Sequence, residues 1–250
     1  VWSLNPAGGE LVMGHHEGSF LLSASNSRIL SSEPGAWTFV TMSDEYMLGG
    51  TYTGLVLYRK EKGQWVFDRK LDGLKESCRI MVKDEDQSIW ISHPYRGVYN
   101  VRWNAGNKDK IDIRFFNQEN GLPTNLNNYV FQIAGKAVFA TEKGVFHFDR
   151  SKDTFVPDDD FNRLLDKQHR VRYLREDTKG NVWYVTDHEA GMLIVNDFGL
   201  KKEVRKKVIP ELAGKLVGGF EFLLPIDGHN MIIGTEQGFI HYALDEEDQS

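Results

Sequence analysis

One pattern recurs six times along these 250 residues: an apolar run, a short polar turn, a glycine and a second apolar run. The copies occupy 11–21, 46–56, 88–99, 137–146, 181–193 and 231–240. A period of this length is the signature of a repeat architecture, and a missed period would misassign the whole fold. The marker glycines are Gly18, Gly54, Gly97, Gly144, Gly191 and Gly238, spaced by 36 residues once and then by 43 or 47. That spacing fits four-stranded propeller blades. A glycine closing a hairpin loop is expected where the backbone needs positive φ.

The reading is therefore an all-β fold, a β-propeller of about six four-stranded blades, forming part of a larger propeller sensor. One propeller region spans 1–250, with blades at 1–35, 36–75, 76–126, 127–168, 169–215 and 216–250. Turns join strand A to strand B at Asn5-Pro6-Ala7-Gly8-Gly9, at 82–88, at 174–181 and at Asp227-Gly228-His229-Asn230. Strand D is expected at 64–68, 111–116, 154–157 and 202–208. The last blade shows no fourth strand, so the strand that closes the ring, with room for a further blade, is expected outside this chain. The start on Val1-Trp2-Ser3-Leu4, without an initiator Met or a basic-then-apolar leader, reads as a fragment of something longer.

Apolar alternation in strands B and C places Ile89, Ile91 and Val98 in the core between blades. Trp90 and Trp183 hold one fixed place in strand B and read as packing residues rather than sugar-stacking aromatics. Cys78 is the one cysteine and reads as a small buried hydrophobe, excluding an internal disulfide and a Cys-based metal site. The basic run Lys201 to Lys207 reads as an exposed edge strand, where lysine resists sheet aggregation.

B-to-C turns and D-to-A connections share one end of a propeller, and that end is expected to hold the variable chemistry. The turns offer His15, His16 and Glu17 in the first blade, Tyr52 in the second, and His93, Tyr95 and Arg96 in the third. Glu142, then Asp187 and His188, then Glu236 follow in the remaining blades. Histidine, tyrosine, arginine and carboxylates on a rigid rim suit a hydroxyl-rich or anionic small ligand. The connections 117–128, 158–170 and 210–215 are read as loops that shape a pocket or partner surface.

Other chemistries are excluded by spacing. Acidic turns lack the oxygen ligands and distal glutamate of an EF-hand, and adjacent His15 and His16 diverge, so no metal is expected. No nucleophile elbow, phosphate loop or dinucleotide fingerprint occurs, and no cofactor is expected. A formal charge of −6 with interspersed signs argues against nucleic acid. No apolar run approaches the roughly 20 residues that cross a bilayer.

The Glu-Asp turn, Ser-Ile-Trp-Ile strand and Tyr-Arg-Gly-Val-Tyr continuation within 80–99 resemble the two-component-regulator propeller repeat. Glu176-Asp177-Thr178-Lys179-Gly180-Asn181-Val182-Trp183 is similar to the same repeat, as is the Asn120-Gly121-Leu122-Pro123 loop. Blades one, two and six lack the acidic turn followed by tryptophan. The resemblance implies a periplasmic sensor region of a membrane-spanning regulator of Bacteroidetes, with its span outside this segment. In that family a triple-tyrosine immunoglobulin-like domain often follows, and output runs through a histidine kinase or a helix-turn-helix domain. The resemblance implies a non-enzymatic sensor that binds an oligosaccharide, forms a homodimer through the sensor region and controls polysaccharide-utilisation genes. The alternatives are a propeller lyase or glycosidase and a protein-interaction scaffold. A glycosidase would need two facing carboxylates at a defined separation.

Overall fold

The computed structural model describes residues 1–250 except 8, 105, 166–168, 199–200 and 245–250. The chain divides into two compact units, Val1–Glu119 and Asn120–Ser250, each built from three antiparallel sheets in simple meander order.

In the first unit, one sheet holds β1 (Ser3–Ala7), β2 (Glu10–His15), β3 (Gly18–Leu22) and β4 (Ser27–Ser31). The next holds β5 (Thr38–Thr41), β6 (Tyr46–Thr51), β7 (Gly54–Glu61) and β8 (Gln64–Leu71). The third holds β9 (Ile80–Lys83), β10 (Ile89–His93), β11 (Gly97–Asn104) and β12 (Asn107–Phe116). First strands of successive sheets adjoin, β1 beside β5 and β5 beside β9, as do the outer strands β4, β8 and β12.

The second unit contains β13 (Tyr129–Ile133), β14 (Lys136–Thr141), β15 (Gly144–Asp149) and β16 (Thr154–Pro157), then β17 (Val171–Glu176), β18 (Val182–Thr186), β19 (Ala190–Phe198) and β20 (Lys201–Val208). Its last sheet has three strands, β21 (Leu223–Pro225), β22 (Asn230–Thr235) and β23 (Gly238–Ala243). The fold class is the expected one, all-β with six propeller blades, and the fourth strand of the last blade is missing among the described residues.

The core lies between sheets. Leu48, Leu55 and Leu57 of one sheet meet Met81, Ile89, Ile91 and Val101 of the next, all buried. At about 25 cal/mol per Å² of apolar surface, such face-to-face burial is the main stabilising contribution. Trp90 and Trp183 are each 2 % exposed: Trp90, on the face of β10 opposite to Ile89 and Ile91, packs against Phe116, and Trp183 packs with Met192, Ile194 and Met231 in the second unit. Cys78 is fully buried, and burial pushes its thiol up to about 12, with Glu76 adding to the effect, so it is no nucleophile at neutral pH.

Three local expectations are corrected. Asn5, Pro6 and Ala7 lie within β1 and pair with Val12, Leu11 and Glu10, so the turn is shorter than expected. The 158–170 connection contains a helix, α1 (Asp159–Leu165), whose Asn162 side chain donates to the Val145 carbonyl and accepts from its N–H, both at 2.8 Å. Gly191 is displaced by one from the marker position: in that blade Ala190 opens the third strand, where the other five have glycine. Gly191 instead permits close approach, since a Cβ there would lie 2.2 Å from the Lys207 carbonyl oxygen.

Candidate functional site

Each B-to-C turn is braced from inside. Thr51, Thr141, Thr186 and Thr235 end their second strands, and each hydroxyl accepts the N–H two residues on, at 3.1 to 3.3 Å. Such side-chain acceptors satisfy a turn donor that the ladder cannot reach. In the first and third blades histidine replaces threonine: His15 Nδ1 accepts from Glu17 N–H at 3.2 Å, and His93 Nδ1 accepts from Tyr95 N–H at 3.3 Å. His15 and His93 therefore carry a turn-bracing duty that their identity as histidines had hidden.

Connecting segments pack onto these turns within the Val1–Glu119 unit. Gly35 N–H donates to His16, Ala36 to His15, and Cys78 to Thr51, each to the backbone carbonyl. Turns and D-to-A connections thus share one end of their sheets. His16 Nδ1 and the Tyr52 hydroxyl are 2.9 Å apart, joining the first turn to the second. In the third blade Glu76, from the connecting segment, lies 2.5 Å from Arg96 Nη1 and 3.5 Å from His93 Nε2. Burial holds the His93 imidazole below its ordinary range, with Arg96 acting the same way and Glu76 opposing. Tyr95 is 74 % exposed and stands 6.2 Å, ring to ring, from His93. Glu17 is exposed on the turn tip.

The Asn120–Ser250 unit repeats the scheme. Glu142 accepts from Asn127 Nδ2 at 2.8 Å, and the His188 ring sits edge-on to His169 at 4.3 Å. Asp187 and Glu236 are exposed, and their N–H groups donate to the carbonyls of Arg170 and Lys215. Among the described residues no group of three His, Cys, Asp or Glu side chains is placed to hold a metal.

Residues that sequence patterning did not single out complete the turn end of the first unit. Trp2, Trp37 and Arg79 each stand immediately before the first strand of their blade, at β1, β5 and β9. Trp2 and Trp37 rings lie 4.6 Å apart at 38°, and the Arg79 guanidinium lies 5.3 Å over Trp37. Tyr52 meets Trp37 edge-on at 5.3 Å, and Trp37 Nε1 donates to Ser77 Oγ at 3.2 Å. The available signal was positional: Trp-Ser-Leu and Trp-Thr-Phe open equivalent strands two blades running. Two clefts of about 430 and 870 Å³ open in this unit at the opposite, A-to-B and C-to-D, end of their sheets, and neither is lined by a candidate residue of the B-to-C turns.

No family model matches the chain, and no curated protein matches it. Solved structures do. An extracellular domain assigned to a hybrid two-component system of Bacteroides thetaiotaomicron aligns over 98 % of this chain and 38 % of its own, with TM-score 0.56 and 14 % identity. A second such domain from the same organism aligns over 96 % of this chain and 33 % of its own, with TM-score 0.64 and 17 % identity. Virginiamycin B lyase of Staphylococcus aureus aligns over 99 % of this chain and 85 % of its own, with TM-score 0.57 and 11 % identity. The chain is a β-propeller by these likenesses, a class that hosts sensors and enzymes alike. It spans 38 % of the length of one extracellular domain and 33 % of the other.

Proposed function

We propose that this chain is a ligand-sensing propeller region of a membrane-spanning transcriptional regulator, that it works in the periplasm, and that its ligand is an oligosaccharide. The observation that carries this reading is the turn end of Val1–Glu119. There the His16–Tyr52 pair meets Trp37 through the Tyr52 ring, and Trp37 stacks with Trp2, while Tyr95 and Arg96 stand on the braced third turn at the same end of their own sheet. Rigid backbone, aromatic faces and hydrogen-bonding side chains are what recognition of a hydroxyl-rich molecule needs. Fold likeness to extracellular domains of hybrid two-component systems supports the sensor reading, and the comparable likeness to a lyase makes a propeller enzyme its alternative. Among the described residues no helix is long and apolar enough to cross a membrane, so signalling would depend on a span elsewhere in the protein. The proposed output is a change in packing or dimer geometry that switches on polysaccharide-utilisation genes.

The test is calorimetric titration of the chain with a panel of oligosaccharides. Saturable, stoichiometric heat without product formation supports the sensor. Steady turnover of any panel member would place the chain among propeller enzymes, and silence across the panel would remove the oligosaccharide from the account.

A further inference from the structure

Threonine hydroxyls, which do not titrate, brace the turns at Thr51, Thr141, Thr186 and Thr235, whereas the third-blade turn is braced by a histidine, which does. His93 Nδ1 accepts the Tyr95 N–H at 3.3 Å, and that acceptor role assigns the proton of the neutral ring to Nε2. Nε2 faces Glu76 Oε2 at 3.5 Å, while the other oxygen of the same carboxylate meets Arg96 Nη1 at 2.5 Å. One carboxylate therefore stands between two bases carried by one turn.

The charges around His93 come from two elements. Glu76 belongs to the segment that connects β8 to β9, and Arg96 to the turn itself. Tyr99 on β11 receives a hydrogen bond from Arg96, and the Cys78 thiol donates to the Glu76 backbone carbonyl at 3.3 Å. Burial raises the titration of both, so Tyr99 and Cys78 stay neutral in mild acid. The Tyr95 ring completes the surroundings, 6.2 Å from the imidazole. With His93 neutral, the charges of Glu76 and Arg96 cancel. A proton on His93 leaves the cluster with one net positive charge.

That proton acts twice. It occupies Nδ1, so the ring no longer accepts the Tyr95 N–H and the turn loses its brace. It also makes Nε2–H a charge-assisted donor directed at Glu76. Exposure decides the competition for the carboxylate: the Arg96 side chain is 60 % exposed and the His93 side chain 11 %. A pair screened by water contributes little, and one shielded by protein contributes more.

We infer that His93 is a proton-operated latch on the ligand site: once protonated, it draws Glu76 away from Arg96 and frees the guanidinium for a carboxylate on the ligand. This rests on the sensor reading above and names how its site is regulated. A planar guanidinium matches a carboxylate in geometry as well as charge. Burial and Arg96 hold the imidazole below its ordinary range while Glu76 opposes them, so the latch opens in mild acid rather than at neutral pH.

The experiment has two arms, both on the full chain. Without ligand, nuclear magnetic resonance follows the His93 imidazole and the Arg96 Nε–H from about pH 7.5 to about pH 5. In wild type the two should shift together. Glu76→Gln should lower the His93 midpoint and leave Arg96 unresponsive, and Arg96→Gln should raise that midpoint, because Glu76 favours the imidazolium and Arg96 disfavours it. An Arg96 signal that ignores the His93 step, or a midpoint that neither substitution moves, would overturn the latch whatever any saccharide does. In the second arm, tetragalacturonate and neutral maltotetraose are titrated at about pH 7.5 and about pH 5.5. Wild type should bind tetragalacturonate ~threefold or more tighter at the lower pH, with no such gain for maltotetraose. His93→Thr keeps a brace without a titrating ring and should lose the gain. A gain that persists in His93→Thr, or no tetragalacturonate binding at either pH, overturns the inference, and the broader oligosaccharide panel decides the sensor reading separately.

Discussion

The indole N–H of Trp90 donates to the Asp84 carboxylate at 3.0 Å, across six residues and with both side chains buried. Asp177 and Trp183 repeat the relationship at 3.4 Å in the other unit. Asp84 also accepts the Glu85 N–H, and Asp177 those of Lys179 and Asn181. The acidic residue thus closes the A-to-B turn and satisfies the buried donor of the strand-B tryptophan. Both groups would otherwise be costly to bury.

Asp84→Ala strands the Trp90 N–H and removes the turn brace, and should cost ~1–3 kcal/mol in denaturant unfolding. Trp90→Phe, which removes donor and need together, is expected to cost less per lost bond. A stability change below ~0.5 kcal/mol for Asp84→Ala would refute the assigned role.

The third-blade turn is expected to be acid-sensitive. Its brace requires an unprotonated Nδ1 on His93, and burial holds the folded-state pKa below the ordinary 6.5. The unfolded chain therefore takes up the proton first. Stability is full above 6.5 and declines as pH falls from there toward the folded value. His93→Thr supplies the hydroxyl that braces four other turns, so it should fold and lose less stability between about pH 7.5 and about pH 5.5. Equal losses in wild type and variant would contradict this.

Gly54 has φ +122°, and a Cβ there would meet the Leu74 carbonyl oxygen at 2.2 Å. Gly63 has φ +83° with nothing within 4 Å. Gly54→Ala should therefore destabilise by at least ~1 kcal/mol more than Gly63→Ala, because backbone cannot yield as an open turn can. Matched melting curves would show that the close approach is not needed.

Tyr95 and the Arg96 side chain are 74 % and 60 % exposed. Their joint replacement by alanine should leave unfolding within ~0.5 kcal/mol of wild type, since exposed ion pairs contribute little. Oligosaccharide affinity should fall by ~tenfold. A folded double variant with unchanged affinity would remove both residues from the site.

The architecture was legible because its signal is periodic: a glycine at a tight turn and alternating apolar strands mark the blade wherever they recur. The one slip, at Gly191, arose where Ala190 took the marker position and a glycine followed for a different reason, the proximity of Lys207. Helix α1 went unread because seven residues inside a connection give too short an apolar pattern to register. Candidate site residues divided more deeply. Residue type suggested ligand chemistry for His15 and His93, yet both act as threonine does elsewhere in the chain. Trp2, Trp37 and Arg79 are not marked in the sequence because they meet by stacking between adjacent blades, which no local motif encodes.

The most direct test follows the indole N–H signals of the six tryptophans by nuclear magnetic resonance while oligosaccharides are added. Signals of Trp2 and Trp37 should move in a saturable way, while those of Trp65, Trp90 and Trp183, buried in the core, hold their positions. Saccharide binding that leaves Trp2 and Trp37 unmoved, or a panel that moves no indole at all, would contradict a sugar site at the turn end of Val1–Glu119.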